Sequence, residues 1–394
     1  RQYNHLTGAN ILGNIREVSA KDLERDSYYR SGDYTGDLGV EKSYEKYLRG
    51  IKGEEILMKD ALGRVKGKYE DGMYDTSPES GKNLTLSIDV NLQAYGESLM
   101  RGKIGAIVAI EPETGEILAL VTSPSYDPSL LIGRDRGKNY ASLVQDPYKP
   151  LFDRALQAAY PPGSTFKPSQ GLIFLQEGII NPGTSFPCSR GYHNHGLTVG
   201  CHGHASPIAL KPALQTSCNA YFCWGFKNMI DKAGTKPVDQ LTKWKDYLVS
   251  MGYGYKLGVD LPSESRGFIP NSEYYTKNYK GSWSGNTIIS VSIGQGEVLA
   301  TPLQIANLCA TIANRGFFYT PHVVKGIQDT ILPAKYRTRH TPPVDRKWYD
   351  VIAEGMRMAV LGGTCKGANI AGLEICGKTG TAQNPHGMDH SAFM

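Results

Sequence analysis

Two apolar strand patterns, Ala106 to Ile110 and Ile117 to Val121, face each other across Glu113-Thr114-Gly115, and the next such pattern waits until Leu373 to Thr381 near the end of the chain. Two short apolar runs separated by a Gly-containing connection are a hairpin signal. Between the hairpin and the late strand the pattern is helical, punctuated by its own Gly and Pro residues. This order predicts an α+β fold: an antiparallel sheet with helices, its strands drawn from both ends of one domain. Upstream, Leu84 to Ile88 alternates as a strand and Asn91 to Met100 reads as a helix.

At 394 residues the chain exceeds what one hydrophobic core usually serves, so two domains are expected. Residues 1–82 are rich in Gly, Tyr and charge, with a helical pattern from Val40 to Leu48 followed by Gly50 and Gly53, and read as a small non-catalytic module. The polar, turn-rich stretch from Asp71 to Asn83, containing Pro78 and Gly81, marks the boundary, and residues 83–394 form the larger domain. With 40% hydrophobic and 21% charged residues the composition excludes a disordered or fibrous chain. The balance of 43 basic to 38 acidic residues lacks any long Lys/Arg run, which excludes a nucleic-acid groove. No stretch approaches the roughly 20 apolar residues that a membrane span needs. The chain opens at Arg1 without an initiator Met or signal sequence and stops just after a strand pattern, so we expect a fragment whose anchor lies outside it. Seven cysteines are too sparse for a disulfide scaffold, and the fold must rest on its core.

The chemistry concentrates in Tyr160-Pro161-Pro162-Gly163-Ser164-Thr165-Phe166-Lys167, followed by a helical apolar pattern (Leu172, Ile173, Leu175) that ends at Gly178. Ser164 is thereby predicted at a helix N-terminus, with Lys167 one turn away on the same face. A serine hydroxyl becomes a good nucleophile when a neighbour takes its proton, and a lysine whose pKa is lowered by burial and nearby cations can do so. The helix N-terminus favours the negative charge that develops on an attacked carbonyl. The spacing alone is common: Ser43-Tyr44-Glu45-Lys46 has it too, where a capping serine and a surface lysine are the bland reading. What distinguishes Ser164 is its company. Ser217-Cys218-Asn219 and Lys378-Thr379-Gly380-Thr381 follow in that order, the second within the late apolar strand. Ser284-Gly285-Asn286 is another Ser-x-Asn, but it sits in a Gly/Ser/Trp turn without the helix-entering Ala-Tyr-Phe that follows Asn219.

Ser-x-x-Lys, Ser-x-Asn and Lys-Thr-Gly in this order resemble penicillin-binding proteins and class A β-lactamases. Tyr-Pro-Pro-Gly-Ser-Thr-Phe-Lys-Pro, Ser-Cys-Asn-Ala-Tyr-Phe and Gly-Lys-Thr-Gly-Thr-Ala narrow the resemblance to class B penicillin-binding proteins, nearest to their elongation-specific members. Asp89 to Gln93, Glu111 to Pro128, and Gly294-Gln295-Gly296 to Ala306 are similar to the same family, as is Gly39 to Gly50 to its non-catalytic pedestal. The likeness implies a transpeptidase domain of the penicillin-binding and serine β-lactamase fold plus part of a small N-terminal pedestal. It implies Ser164 as the acylated nucleophile, Lys167 as its general base, Ser217 as the proton relay to the leaving amine and Asn219 as the holder of the donor peptide's amide. Lys378 would face both serines, help keep Lys167 neutral and bind negative charge on the substrate. Thr379 and Thr381 would line the strand, Gly380 would let the substrate backbone approach, and the amides of Ser164 and Thr381 would form the oxyanion hole.

Between the nucleophile helix and Ser217, Cys188, His193, His195, Cys201, His202 and His204 place six soft donors within 17 residues. A structural zinc would take four protein ligands: Cys188, Cys201, one of His202 or His204, and Cys218. Cys218 qualifies if the neighbours of the Ser-x-Asn residues point away from the cleft. A Cys188 to Cys201 disulfide and a plain polar loop are the other two readings. No cofactor is required for the chemistry itself.

The resemblance implies a peptidoglycan D,D-transpeptidase that cross-links stem peptides and is acylated by β-lactams, at the periplasmic face of the bacterial inner membrane. Its expected partner is a membrane glycosyltransferase of the elongation machinery. A D,D-carboxypeptidase, which lets water resolve the acyl-enzyme, and a β-lactam sensor or non-catalytic scaffold of the glycan polymerase share the motifs. A β-lactamase would be one compact domain without the N-terminal module. The family continues past the last residues with further strands and a helix, so the transpeptidase domain is expected to be C-terminally truncated.

Overall fold

The computed structural model describes residue 5, residues 7–384 and residues 387–394. The first eighty residues build two short antiparallel pairs, β1 (Ile15–Glu17) with β2 (Tyr34–Gly36) and β3 (Leu57–Lys59) with β4 (Val65–Lys68). A helix at Ala20–Arg25 follows β1, started by a capping box in which Ser19 and Asp22 satisfy each other's backbone amides. The helical pattern from Val40 to Leu48 becomes two short helices, Gly39–Ser43 and Glu45–Leu48, broken at Tyr44 (φ −113°, ψ 16°). The break has a cause: Tyr44 turns inward to the larger domain, and its hydroxyl donates to Asp260 Oδ2 at 2.8 Å. Asp260 is buried and also accepts from the amides of Val323 (2.8 Å) and Val324 (2.9 Å). Around this tie Ile11, Val40 and Tyr44 pack with Ile117, Leu120, Leu257, Val259, Val323 and Val324 in one apolar seam. The chain passes from one body to the other at Lys82, whose amide bonds back to Tyr47 O at 2.7 Å, and Asn83, whose amide reaches Gln328 Oε1 at 3.2 Å.

In the larger domain β5 (Leu84–Leu86) precedes α1 (Val90–Leu99), capped by Asp89. The expected hairpin is β6 (Gly105–Ile110) with β7 (Ile117–Ser123), antiparallel from Gly105↔Ser123 to Ile110↔Ile117. The helical middle includes α2 (Lys167–Gln176), the hairpin β8 (Gly191–Asn194) and β9 (Leu197–Gly200), α3 (Leu210–Gln215), α4 (Asn219–Ile230), α5 (Pro237–Ser250) and α6 (Pro302–Ala313). After it come β10 (Val324–Ile327), paired with β5, then α7 (Arg346–Gly362), and finally β11 (Thr379–Ala382) paired with β12 (His390–Phe393). The α+β class holds. Two expectations are corrected. The late strand begins at Thr379, not Leu373, because the residues before it lie along α7: Arg357 Nη1 donates to Ile375 O at 2.9 Å and the Gly377 amide to Met356 O at 3.2 Å. The β6–β7 hairpin and the late strand also do not share a ladder, since β11 takes the next segment, β12, as its partner; strands from the two sides of the helical middle do pair, as β5 does with β10.

The main core surrounds α2 and α4, where Phe166, Phe174, Tyr221, Phe222, Phe226 and Trp244 are fully buried. From Lys167 to Leu175 every residue of α2 is buried, the pattern of a helix at the centre of a domain. None of the helices among the described residues is long and apolar enough to cross a membrane.

Because Tyr44 OH sits at the centre of the seam, Tyr44→Phe should lower the unfolding free energy by about 1–3 kcal/mol. The urea midpoint measures it, and an unchanged midpoint would mean that the tie contributes nothing to stability.

Candidate active site

Ser164 lies in a 3₁₀ turn, Gly163–Phe166, that runs directly into α2. Gly163 has φ +55°, in the left-handed region, and its amide donates to Gly294 O at 2.8 Å. A Cβ at Gly163 would stand 2.5 Å from Thr381 O, so only glycine lets β11 pass this close to the nucleophile turn. The strand reciprocates. A Cβ at Gly380 would stand 2.9 Å from Pro162 O and 2.9 Å from the Thr165 methyl. The bare side of Gly380 therefore admits the nucleophile turn, which corrects the expectation that it admits a substrate backbone. The Ser164 hydroxyl is half-buried and has no hydrogen-bond partner among the described residues.

Ser217, between α3 and α4, stands at φ +57°. That conformation costs a non-glycine residue about 1–2 kcal/mol, and the amides of Ser217 (to Leu214 O, 3.3 Å) and Cys218 (to Ala213 O, 2.9 Å) hold it. The strained turn aims both the Ser217 carbonyl and its hydroxyl at lysines. Lys167 Nζ donates to Ser217 O at 2.7 Å, to Ser217 Oγ at 3.3 Å and to Asn219 Oδ1 at 2.6 Å, which uses all three ammonium hydrogens. Lys378 Nζ donates to the same Ser217 Oγ at 2.8 Å and to Thr379 O at 3.0 Å. Both lysines are 0% exposed. Burial pulls the Lys167 ammonium down to about 8, an effect only partly opposed by the sulfurs of Cys218, Cys201 and Cys223. Burial, and then the charge of Lys167, pull Lys378 down to about 7. Lys378 thus meets Ser217 rather than both serines, and Lys167 points toward the Ser-x-Asn wall rather than toward Ser164.

Asn219 is engaged at both ends: its oxygen accepts from Lys167, and its amide nitrogen donates to Gly200 O, at the end of β9, at 2.8 Å. Thr381 is exposed on the cleft side of β11, and Thr379 donates its hydroxyl hydrogen to Thr364 Oγ1 at 3.0 Å. Thr364 escaped the sequence reading because no motif includes it; the only signal is the Gly362-Gly363 pair that ends α7 just before it. Gly294 does lie in one of the family-like motifs, but its part, the carbonyl that accepts from Gly163, shows only in three dimensions. The rejected matches are structural. Asn286 Oδ1 accepts from Tyr192 OH, and Ser43 and Lys46 are both exposed on the N-terminal module.

Cys188, Cys201, His204 and Cys218 come together, with their donor atoms all within 4.8 Å of one another. His202 is exposed and outside the group, which resolves the choice between the two histidines. His204 Nδ1 bonds Ala205 O at 2.8 Å, which leaves Nε2 free to face the sulfurs, 3.5 Å from Cys201 Sγ. That separation is about the edge of a tetrahedron with bonds of ~2.0–2.3 Å. Hydrogen bonds from Cys218, the amide of Asn219, His204 and the amide of Ala220 hold the Cys201 thiol down at about 4, while burial pushes the Cys188 thiol up. Three thiols this close cannot all ionise beside one another without a cation. The donor set therefore fits zinc. All seven cysteines are free thiols in the structure, Cys188 and Cys201 included. The group also braces the cleft: Cys201 Sγ accepts from the Asn219 amide at 3.2 Å, and Cys218 is the residue between Ser217 and Asn219.

Residues 105–391 match the family described as Penicillin binding protein transpeptidase domain, and residues 1–86 match Penicillin-binding Protein dimerisation domain. A peptidoglycan D,D-transpeptidase MrdA of Acinetobacter baumannii is 36% identical over 391 residues, covering 96% of this chain and 55% of the relative. The chain spans between half and two thirds of the length of the curated MrdA relatives it matches. Among solved structures, Pseudomonas aeruginosa PBP2 in complex with WCK 5153 superimposes with a TM-score of 0.81 at 32% identity, covering 98% of this chain and 80% of that one. Helicobacter pylori PBP2 in complex with MreC does so with a TM-score of 0.81 at 27% identity, covering 99% and 71%.

Proposed function

This chain belongs to the penicillin-binding protein transpeptidase family, and on that premise we propose that it is the catalytic part of an elongation-specific peptidoglycan D,D-transpeptidase, of the branch called penicillin-binding protein 2. The observation that carries the reading is the meeting of Lys167 and Lys378 on one hydroxyl, that of Ser217, from segments 50 and 161 residues away. With the Ser164 turn held against β11, that meeting makes a cleft with a nucleophile, a base, a relay and a cation.

The steps follow from the donors and acceptors. When Lys167 gives up a proton, Ser217 O and Asn219 Oδ1, which only accept, keep its two remaining hydrogens. Its lone pair then turns to a hydroxyl, that of Ser217 or, one helical turn away, that of Ser164. Ser164 Oγ attacks the penultimate D-Ala carbonyl of a stem peptide and passes its hydrogen to Lys167. The amides of Ser164 and Thr381 receive the oxyanion, a contribution generally worth a few kcal/mol of barrier. The C–N bond breaks, and D-Ala leaves with a proton handed over through Ser217. An amine of a neighbouring stem then attacks the ester, forms the cross-link and returns the hydrogen to Ser164. A β-lactam enters by the same attack, and its acyl-enzyme persists.

The place of action that goes with this chemistry is the periplasmic face of the bacterial inner membrane, and the partner is a membrane glycosyltransferase of the elongation machinery. The likeness to a PBP2 solved with MreC supports a partner of that machinery. Cys188, Cys201, His204 and Cys218 would hold a structural zinc ion. A closed set of four protein ligands leaves no position for a reacting water, so the ion would supply positive charge to the thiolates and order to the loop, and no reaction step.

Incubation with a labelled penicillin should give one adduct, on the peptide containing Ser164, and none in Ser164→Ala; labelling elsewhere would refute the assignment. A cross-linking assay with an acceptor amine separates a transpeptidase from a sensor, which would be acylated without transferring. Acylation should need neutral Lys167 and charged Lys378. With values near 8 and 7, the rate should rise as Lys167 deprotonates, fall as Lys378 loses its charge, and peak between pH 7 and 8. A flat profile from pH 6 to 9 would contradict this. Elemental analysis of protein purified without added metal should find one zinc per chain, lost in Cys201→Ser. Absence of zinc with a Cys188 to Cys201 link would end the metal proposal.

A further inference from the structure

Thr364 sits where the end of α7 turns toward β11. Its backbone is fixed on two sides. The amides of Gly363 and Cys365 both donate to Ala359 O at 3.0 Å, wrapping the helix end, and the Thr364 amide donates to Gln215 O at 3.1 Å. A Cβ at Gly363 would stand 2.2 Å from that same Gln215 O, so the loop lies directly on the segment that two residues later becomes Ser217. The Thr364 hydroxyl meets the other wall, accepting from Thr379 Oγ1 at 3.0 Å. Thr364 thus spans the Ser-x-Asn turn and the Lys-Thr-Gly strand.

Lys378 is buried in this arrangement, and two of its three ammonium hydrogens already have acceptors, Ser217 Oγ and Thr379 O. Next to it in the chain Thr379 is half-buried, and its hydroxyl is bonded to that of the exposed Thr364; Thr381 is exposed further along the strand. A hydroxyl carries one hydrogen and two acceptor sites. With the Thr379 hydrogen placed on Thr364, the Thr364 hydrogen is the one left to point outward, and its other neighbour among the described residues is the weak acceptor Cys365 Sγ at 3.8 Å. Exposed hydroxyl donors backed by a buried cation suit a carboxylate, which takes charge-assisted hydrogen bonds stronger than neutral ones.

We propose that Thr364 is a substrate-binding residue: with Thr379 it forms a two-hydroxyl cradle for the carboxylate of the acylating ligand, the C-terminal carboxylate of a stem peptide or that of a β-lactam. The proposal rests on the acyl-transfer reading above and adds to it a residue outside the three motifs.

The test compares benzylpenicillin with its methyl ester, which differs only in the blocked carboxylate, by the rate of Ser164 acylation. Wild type should prefer the acid. Thr364→Val should lower the acid rate about tenfold, leave the ester rate unchanged and so erase most of the preference, while Thr364→Ser keeps it. Equal loss for acid and ester in Thr364→Val, no loss at all, or loss of the preference in Thr364→Ser would overturn the assignment. Thermal unfolding checks each variant, and Thr364→Ala replaces the valine variant if that one does not fold. Wild type that is acylated by neither compound would sink the acyl-transfer reading itself and this inference with it, a result distinct from every outcome in the variants.

Discussion

Two buried ammonium groups share one serine hydroxyl, and most of the catalytic body is arranged to make that tolerable. Each lysine loses its hydration on burial, and the two repel across a medium that screens poorly. Ser217 answers with the acceptors it has, a carbonyl to one lysine and a hydroxyl to both, and it can present them together only because its backbone is left-handed. The low proton affinity of Lys167 follows from burial, and that of Lys378 from burial and then from the charge of Lys167. The crowding also calls for support behind the turn, which comes from α3, from the end of β9 through Asn219, and from the sulfur cluster through Cys218.

The nucleophile arrives at this arrangement by close packing of backbone on backbone. Gly163 in its turn and Gly380 in β11 face each other's segments with no room for a side chain, and Gly294 closes the third side of the turn. Position is thus enforced by exclusion as well as by hydrogen bonds: the Ser164 turn cannot move toward β11 without collision. That the Ser164 hydroxyl has no hydrogen-bond partner among the described residues while its neighbours Thr165 and Ser169 bond back to their own backbone fits a group kept for a visitor.

Local signals in the sequence were legible where the physics is local. The β6–β7 hairpin, the helix after Asp89 and the run of α2 behind Ser164 all follow from patterns within one short stretch of chain each. The gathering of Ser164, Lys167, Ser217, Asn219 and Lys378 was reachable only as a set of motifs in order, because their contacts join segments far apart in the chain. What stayed hidden depends on three-dimensional neighbours. Leu373 to Gly377 is apolar enough to look like a strand, yet α7 offers partners to the backbone of Ile375 and Gly377 first. Gly380 looked like an opening for substrate, and only the position of Pro162 O shows which side of the strand is bare. Which of His202 and His204 faces the sulfurs depends on the course of the loop, which leaves His202 exposed and sets His204 beside Cys201. Thr364 belongs to no motif, and its relevance is visible only from Thr379.

The seam beneath the cleft has its own consequence. The N-terminal module joins the catalytic body through an apolar contact with a polar tie at its middle, Tyr44 to Asp260, and Asp260 also grips two consecutive amides of the strand region beyond. A directional hydrogen bond set among apolar contacts fixes one register of the two surfaces, because sliding would leave the buried Asp260 carboxylate short of a donor. Anything that drew Asp260 out of the seam would therefore loosen two grips at once, the one on Tyr44 of the smaller body and the one on the backbone at Val323 and Val324.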